Sequence, residues 1–214
     1  MSKKVGILGT GVVGQVLAQG FLTHGYSVMV ATRDPEALAQ KGTWDKAIHI
    51  GTHRDVAQWA DLLVLATKGS AAEGAIRLCD SADLAGKVII DTTNPIADAP
   101  PTAGVLHYFT TLEESLMERL QRINDRALFV KAFNSVGSAL MVNPQFGGTR
   151  PTMFICGNDA GAKAEVTAIL DQFGWESADM GGVEGARAVE PLCMLWCIPG
   201  FASNQWRHAF KLLK

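Results

Sequence analysis

At 214 residues, with 48% hydrophobic and 19% charged side chains, the chain suits one domain with a sizeable core. A formal net charge of −2 leaves no basic footprint for nucleic acid or for an anionic membrane surface. The four cysteines, Cys79, Cys156, Cys193 and Cys197, form no CxxC pair, and no histidine cluster completes a site around Cys193 and Cys197; core thiols are expected and no metal.

The opening MSKKVGILGTG runs straight into a strand without a long apolar leader. The apolar stretch 188–202 contains Glu190 and Pro199 and is too short to span a bilayer. A reduced, cytoplasmic enzyme without a membrane partner is the expectation. In chain order, strands are expected at 5–9, 27–32, 48–52, 61–67 and 87–91, with helices at 15–23, 35–40, 56–59 and 71–79 between them. Asp34 stands as N-cap of the second helix with Pro35 at its first position. The apolar run DLLVLAT at 61–67 suits a parallel strand buried on both faces.

Residues 96–105 read as a loop, and Thr111 with Glu114 as a capping box opening a helix over 112–123. Further strands are expected at 129–133, 152–156 and 175–179. A helix capped by Asn158 or Asp159 ends at Phe173, with Gly174 as its stop. From about 183 the chain turns helical and aromatic, interrupted at Pro199-Gly200. Strands alternating with helices at this spacing predict an α/β, Rossmann-type doubly wound, mainly parallel sheet with a helical C-terminal extension, and one domain over 1–214.

Gly9-Thr10-Gly11-Val12-Val13-Gly14 matches G-x-G-x-x-G between a strand and a helix, with a second strand following. The first glycine permits the turn, the second lets backbone approach a pyrophosphate, and the third allows close helix–strand packing. The helix N-terminus supplies N–H donors. At the end of the second strand, where an NAD enzyme carries an acidic residue for the ribose, this chain reads Ala31-Thr32-Arg33-Asp34. Arg33 can hold a 2′-phosphate through its planar fork and Thr32 can add a bond, which points to NADP rather than NAD.

With these motifs the chain resembles the NADPH-dependent reductases of the deazaflavin coenzyme F420. Their relatives include the oxidoreductase domain of the STEAP metalloreductases. The resemblance is carried by GILGTGVVG, by ATR at 31–33, and by Asp91-Thr92-Thr93-Asn94-Pro95. It continues through Val130-Lys131-Ala132-Phe133-Asn134, Asp179-Met180-Gly181, Ala186-Arg187 and Glu190-Pro191-Leu192. It implies that Thr10, Val12 and Val13 join the loop glycines around the pyrophosphate, and that Thr32 and Arg33 take the 2′-phosphate. Thr67 would lie beside the nicotinamide ribose, Asn94 and Pro95 would border the nicotinamide, and Asn134 and Ser135 would flank the second substrate. The family implies a homodimer in which the C-terminal helices take part. One departure stands out: Glu36-Ala37 replaces a basic residue that can reinforce the phosphate site.

Hydride transfer to a carbonyl needs a positioned acid. The stretch from Gly181 to Glu190 holds Arg187 but no lysine, and arginine is a poor proton donor. A flavin or deazaflavin ring spreads the arriving charge itself, so positioning suffices. Asn94 and Asn134 are therefore the expected positioning residues, while Lys68, Lys131 and His107 are the remaining candidate donors. The expected activity is hydride transfer between NADP(H) and a flavin or F420-type acceptor. A small carbonyl or imine reductase and a non-catalytic NADP-sensing module are the alternatives. The aromatic stretch with Trp196, Phe201, Trp206 and Phe210 is expected in the core or at a dimer interface, more than lining a pocket.

Overall fold

The computed structural model describes residues 2–213. In chain order β1 (Lys4–Leu8), α1 (Val12–Thr23), β2 (Ser27–Ala31), α2 (Pro35–Gln40) and β3 (His49–Gly51) form the first half. Then come α3 (His53–Trp59), β4 (Leu62–Leu65), α4 (Gly69–Arg77), α5 (Ser81–Leu84), β5 (Val88–Asp91), α6 (Leu116–Ile123) and β6 (Leu128–Lys131). The remainder is β7 (Thr152–Ile155), α7 (Ala160–Gln172), β8 (Glu176–Asp179), α8 (Ala186–Val189) and α9 (Pro191–Ser203), with single 3₁₀ turns at Ser138–Leu140 and Val183–Gly185.

The six strands β3-β2-β1-β4-β5-β6 make one parallel sheet. Its strands are apolar on both faces because both are covered. Ile7, Val64 and Ile90 join Leu17, Phe21, Ile169 and Phe173 in one core, while Leu8, Leu63 and Ile89 join Val56, Ile76 and Leu120 in the other. Each such side chain, fully buried, contributes about 1.5–3 kcal/mol. This is the doubly wound α/β fold expected from the sequence. The chain order reverses between β1 and β4, which opens a crevice at the carboxyl ends of those strands.

One strand pairing lay beyond the sequence reading, and two expectations need correction. β7 and β8 do not join the main sheet; they pair in parallel with each other and touch it through one antiparallel bridge, Lys131 to Cys156. The helix expected at 112 begins at Leu116. Ser115 and Glu118 cap it reciprocally, Glu118 N–H to Ser115 Oγ at 3.1 Å and Ser115 N–H to Glu118 Oε2 at 2.7 Å. Thr111 and Glu114 instead form an isolated bridge, and the Glu114 carboxylate pairs with Arg119 and Arg122. Finally, α9 runs through Pro199 and ends at Asn204, whose left-handed φ of 54° closes the helix. The bond that Pro199 cannot donate would fall to the carbonyl of the exposed Leu195, where water can replace it.

Asp34 caps α2 by accepting from Ala37 N–H at 2.9 Å, and Asp159 caps α7. No helix among the described residues is long and apolar enough to cross a membrane.

Candidate nucleotide site

At the crevice, β1 turns into α1 through the glycine loop. Gly9 has φ of 138°, and a Cβ there would sit 2.3 Å from the Ala66 carbonyl oxygen; one on Gly14 would sit 2.3 Å from that of Gly9. Those two glycines are demanded by the chain itself. Gly11 is different, because a Cβ there would meet no described atom within 4 Å. Its missing side chain keeps open the space in front of α1. That helix has no side-chain cap and no acidic residue in its first turn, so its N–H groups and positive dipole end face the opening.

The cleft beyond has a volume of about 400 Å³ and brings together Gly11, Val12 and Val13 with Thr67 and Asn94. Thr67 follows β4, and its buried hydroxyl has no hydrogen-bond partner among the described residues. A buried hydroxyl without a partner is costly unless something else supplies the bond, and a ribose hydroxyl lying along the cleft can. Gly9 and Gly14 lie behind the cleft in the turn, and Thr10 is exposed beside it. Thr32 and Arg33 stand apart from the cleft on the same sheet edge, after β2, with Arg33 exposed. Asp34 is committed to its helix cap rather than to a ribose.

Asn94 and Asn134 bind each other. Asn94 Nδ2 donates to the Asn134 carbonyl at 2.8 Å, and Asn134 Nδ2 donates to Asn94 Oδ1 at 3.1 Å and to the Val189 carbonyl at 2.9 Å. Asn134 Oδ1 is buried and unpartnered among the described residues. Pro95 is buried behind Asn94, and Ser135 is buried with its hydroxyl 3.9 Å from Met153 Sδ, both off the open surface of the cleft.

Of the three candidate proton donors, only Lys68 lines the cleft. It is 80% exposed and pairs across the mouth with Asp98 at 3.4 Å. His107 is exposed in the 96–115 loop, 2.8 Å from Thr102 Oγ1. Lys131 is wholly buried, with all three ammonium protons engaged by Asp91 at 2.6 Å, Glu190 at 2.9 Å and the Thr93 carbonyl at 2.9 Å. Burial alone would lower its pKa, but the two carboxylates outweigh that and hold it above the usual lysine range. It is locked in the protonated form and cannot serve as an acid.

Sequence reasoning missed several parts. Gly69 opens α4 against the Asn94 carbonyl, where a Cβ would come within 1.9 Å; a glycine at a helix start was the available signal. Thr92, Thr93, Ile96, Ala97 and Asp98 also line the cleft. His53, buried at the start of α3, bonds the Thr32 backbone; burial first, and then the Arg33 charge, lower its pKa. All four cysteines are free; burial pushes the Cys79 and Cys156 thiols up to about 12. No cluster that could hold a metal ion occurs among the described residues.

The family described as NADP oxidoreductase, coenzyme F420-dependent, matches residues 4–95. A solved structure from Arthrobacter sp. FB24, described as a candidate F420-dependent NADP-reductase, is 31% identical with TM-score 0.92, all of both chains being covered. The metalloreductase STEAP3 of Rattus norvegicus is 31% identical over 92% of this chain, but only 38% of that relative is covered. STEAP2 of Homo sapiens is 25% identical over 88% of this chain and 35% of its own length, so the chain spans about a third of these relatives. The imine reductase from Pseudomonas sp. shares the fold at 19% identity and TM-score 0.67, over 95% of this chain and 64% of that one.

Proposed function

We propose that this chain, which belongs to the coenzyme F420-dependent NADP oxidoreductase family, binds NADP(H) across the sheet edge and transfers hydride between it and a flavin or F420-type deazaflavin ring. The α1 N-terminus and the space at Gly11 hold the pyrophosphate, Thr32 and Arg33 the 2′-phosphate, and Thr67 the nicotinamide ribose. The Asn94–Asn134 pair and Pro95 fix the ring and its partner. Bound NADPH supplies the hydride; the residues supply orientation and the exclusion of water.

One observation carries the choice of acceptor. Among the described residues lining the cleft, the only ionisable side chains are Lys68 and Asp98, which are exposed and paired with each other. A carbonyl or imine acceptor needs a positioned proton donor and finds none held in place there; a ring acceptor does not need one. The family description favours F420 as the ring, and a flavin is the alternative of the same chemistry. The chain works as a cytoplasmic homodimer through the exposed apolar side chains of α9 and the tail, Leu195, Phe201 and Trp206.

Stopped-flow oxidation of NADPH with F420, FMN, FAD, a ferric chelate and a carbonyl and imine panel tests the reading. Turnover with rings is expected. Turnover with carbonyls or imines alone would replace it with the reductase of small substrates. Tight binding without any turnover would leave an NADP sensor.

A further inference from the structure

Behind the nicotinamide end of the cleft lies a buried cluster of three charges. Lys131 ends β6, Asp91 ends β5, and Glu190 joins α8 to α9; all three are essentially inaccessible. Both oxygens of each carboxylate face donors. Asp91 Oδ1 accepts from Thr93 N–H at 2.9 Å and Thr93 Oγ1 at 2.7 Å, and its Oδ2 meets Lys131. Glu190 accepts the N–H groups of Leu116 and Met117 at 3.0 Å each, besides Lys131. One ammonium against two carboxylates leaves one excess negative charge. No neighbouring side chain cancels it: Cys156 and Tyr108 are neutral because burial pushes their pKa values up, Cys193 because the Cys197 thiol and then burial do so, and Arg187 is neutralised by Glu118. The N-terminus of α6 at Leu116 and Met117 offsets the charge only in part. The cluster is continuous with the cleft, since Thr92, Thr93 and Asn94 follow Asp91 directly and line it.

We propose that this buried excess negative charge sets the protein's preference between the two redox forms of its nucleotide, favouring the cationic nicotinamide of NADP⁺ over the neutral ring of NADPH. The inference rests on the placement of the nicotinamide given above. The two forms share phosphates, riboses and adenine, so every other contact cancels in the ratio of their affinities. Only the ring differs, by one positive charge, and a charge buried in low dielectric acts on it with little screening. A site that favours the cationic ring also favours departure of hydride, with its electron pair, from NADPH.

The test is the ratio Kd(NADPH)/Kd(NADP⁺), titrated on the full chain for wild type, Asp91→Asn and Glu190→Gln. Each variant is isosteric, removes the excess charge and leaves Lys131 one carboxylate. Each should lower the ratio roughly three- to tenfold. Glu165→Gln, in the remote surface pair with Lys3, should leave it unchanged. Asp91 and Glu190 sit on different elements, so a folding failure of one variant leaves the other as the test. Loss of affinity for both forms alike would assign the cluster a purely structural role and overturn the proposal. Wild type that binds neither nucleotide would remove the functional reading as well; wild type that binds both, with ratios unmoved in the variants, would remove this inference alone.

Discussion

The two ends of the cleft are built by different means. At the end proposed for the pyrophosphate the chain offers backbone: a glycine turn, the open space at Gly11 and the uncapped start of α1. At the end proposed for the nicotinamide it offers side chains, Thr67, Asn94 and Asn134, and behind them the buried Lys131–Asp91–Glu190 cluster. The first depends on conformations that few residues adopt; the second depends on long-range contacts that many sequences could supply. Damage at the first should abolish binding, whereas damage at the second should spare NADPH binding and slow transfer.

The largest effect should come from Gly11→Val. Its side chain would enter open space, so stability should fall by less than about 1 kcal/mol, the cost of a poorer N-cap, while NADPH affinity falls by roughly a thousandfold, about 4 kcal/mol. Gly14→Ala is the counterpart, because its Cβ would press on the Gly9 carbonyl. That variant should lose roughly 1–3 kcal/mol of stability in a denaturant melt. If Gly11→Val destabilised the fold as much as Gly14→Ala, the two glycines would not be doing different jobs.

At the other end, Asn94→Ala and Asn134→Ala should each slow single-turnover hydride transfer by about a hundredfold, the usual cost of misplacing a reacting group. NADPH affinity should move by less than about fivefold, roughly 1 kcal/mol. Affinity losses that match the rate losses would mean that the pair binds rather than positions.

This division explains what the sequence made legible. The glycine loop and the parallel sheet were readable because each is local: a spacing and an apolar run. The cap of α6 was misplaced because Thr111-x-x-Glu114 and Ser115-x-x-Glu118 fit one pattern equally. What separates them is Glu190, seventy-odd residues away, which takes the next two N–H groups after Ser115. Lys131 read as a candidate donor for the same reason; its two carboxylate partners lie on other elements. Where β7 and β8 pair was not legible, because strand patterns carry no information about which edge they join.

The 2′-phosphate site proposed at Thr32 and Arg33 belongs with the first kind of end, since it should act on binding alone. Arg33→Ala should cost about 1.5–3 kcal/mol of NADPH affinity with little change for NADH. Equal losses for both nucleotides in parallel titrations would detach Arg33 from the phosphate.

The nicotinamide end is also the one scaffolded by ionised groups, which makes it sensitive to acid. Hydrogen bonds from Arg187, opposed by burial and helped by Ser115, hold the Glu118 carboxyl near pKa 2 against a usual 4.5. A depressed folded-state pKa gives stability that is present above about 4.5 and lost as pH falls toward 2. Glu118→Gln should therefore flatten the decline in stability across that window. Arg187 is partly exposed and screened, so the difference should be about 1–2 kcal/mol. Parallel declines in wild type and variant would show that the pair contributes nothing to folding.

The smallest effect expected is also the one on which the acceptor turns. Lys68→Met and His107→Gln remove the two candidate donors that solvent can reach. Lys68 is tied only to Asp98 by an exposed pair, an interaction worth less than about 1 kcal/mol, so its side chain is not held at any fixed point over the ring. A donor that is not held gives little general-acid catalysis, which elsewhere amounts to about 10²–10⁴-fold. Each variant should accordingly keep single-turnover NADPH oxidation, with the best ring acceptor, within about tenfold of wild type. A thousandfold collapse in either, with NADPH affinity intact, would mean that proton delivery is built into the site after all. The acceptor would then be a carbonyl or imine, and the side-chain-built end of the cleft would be doing chemistry rather than positioning.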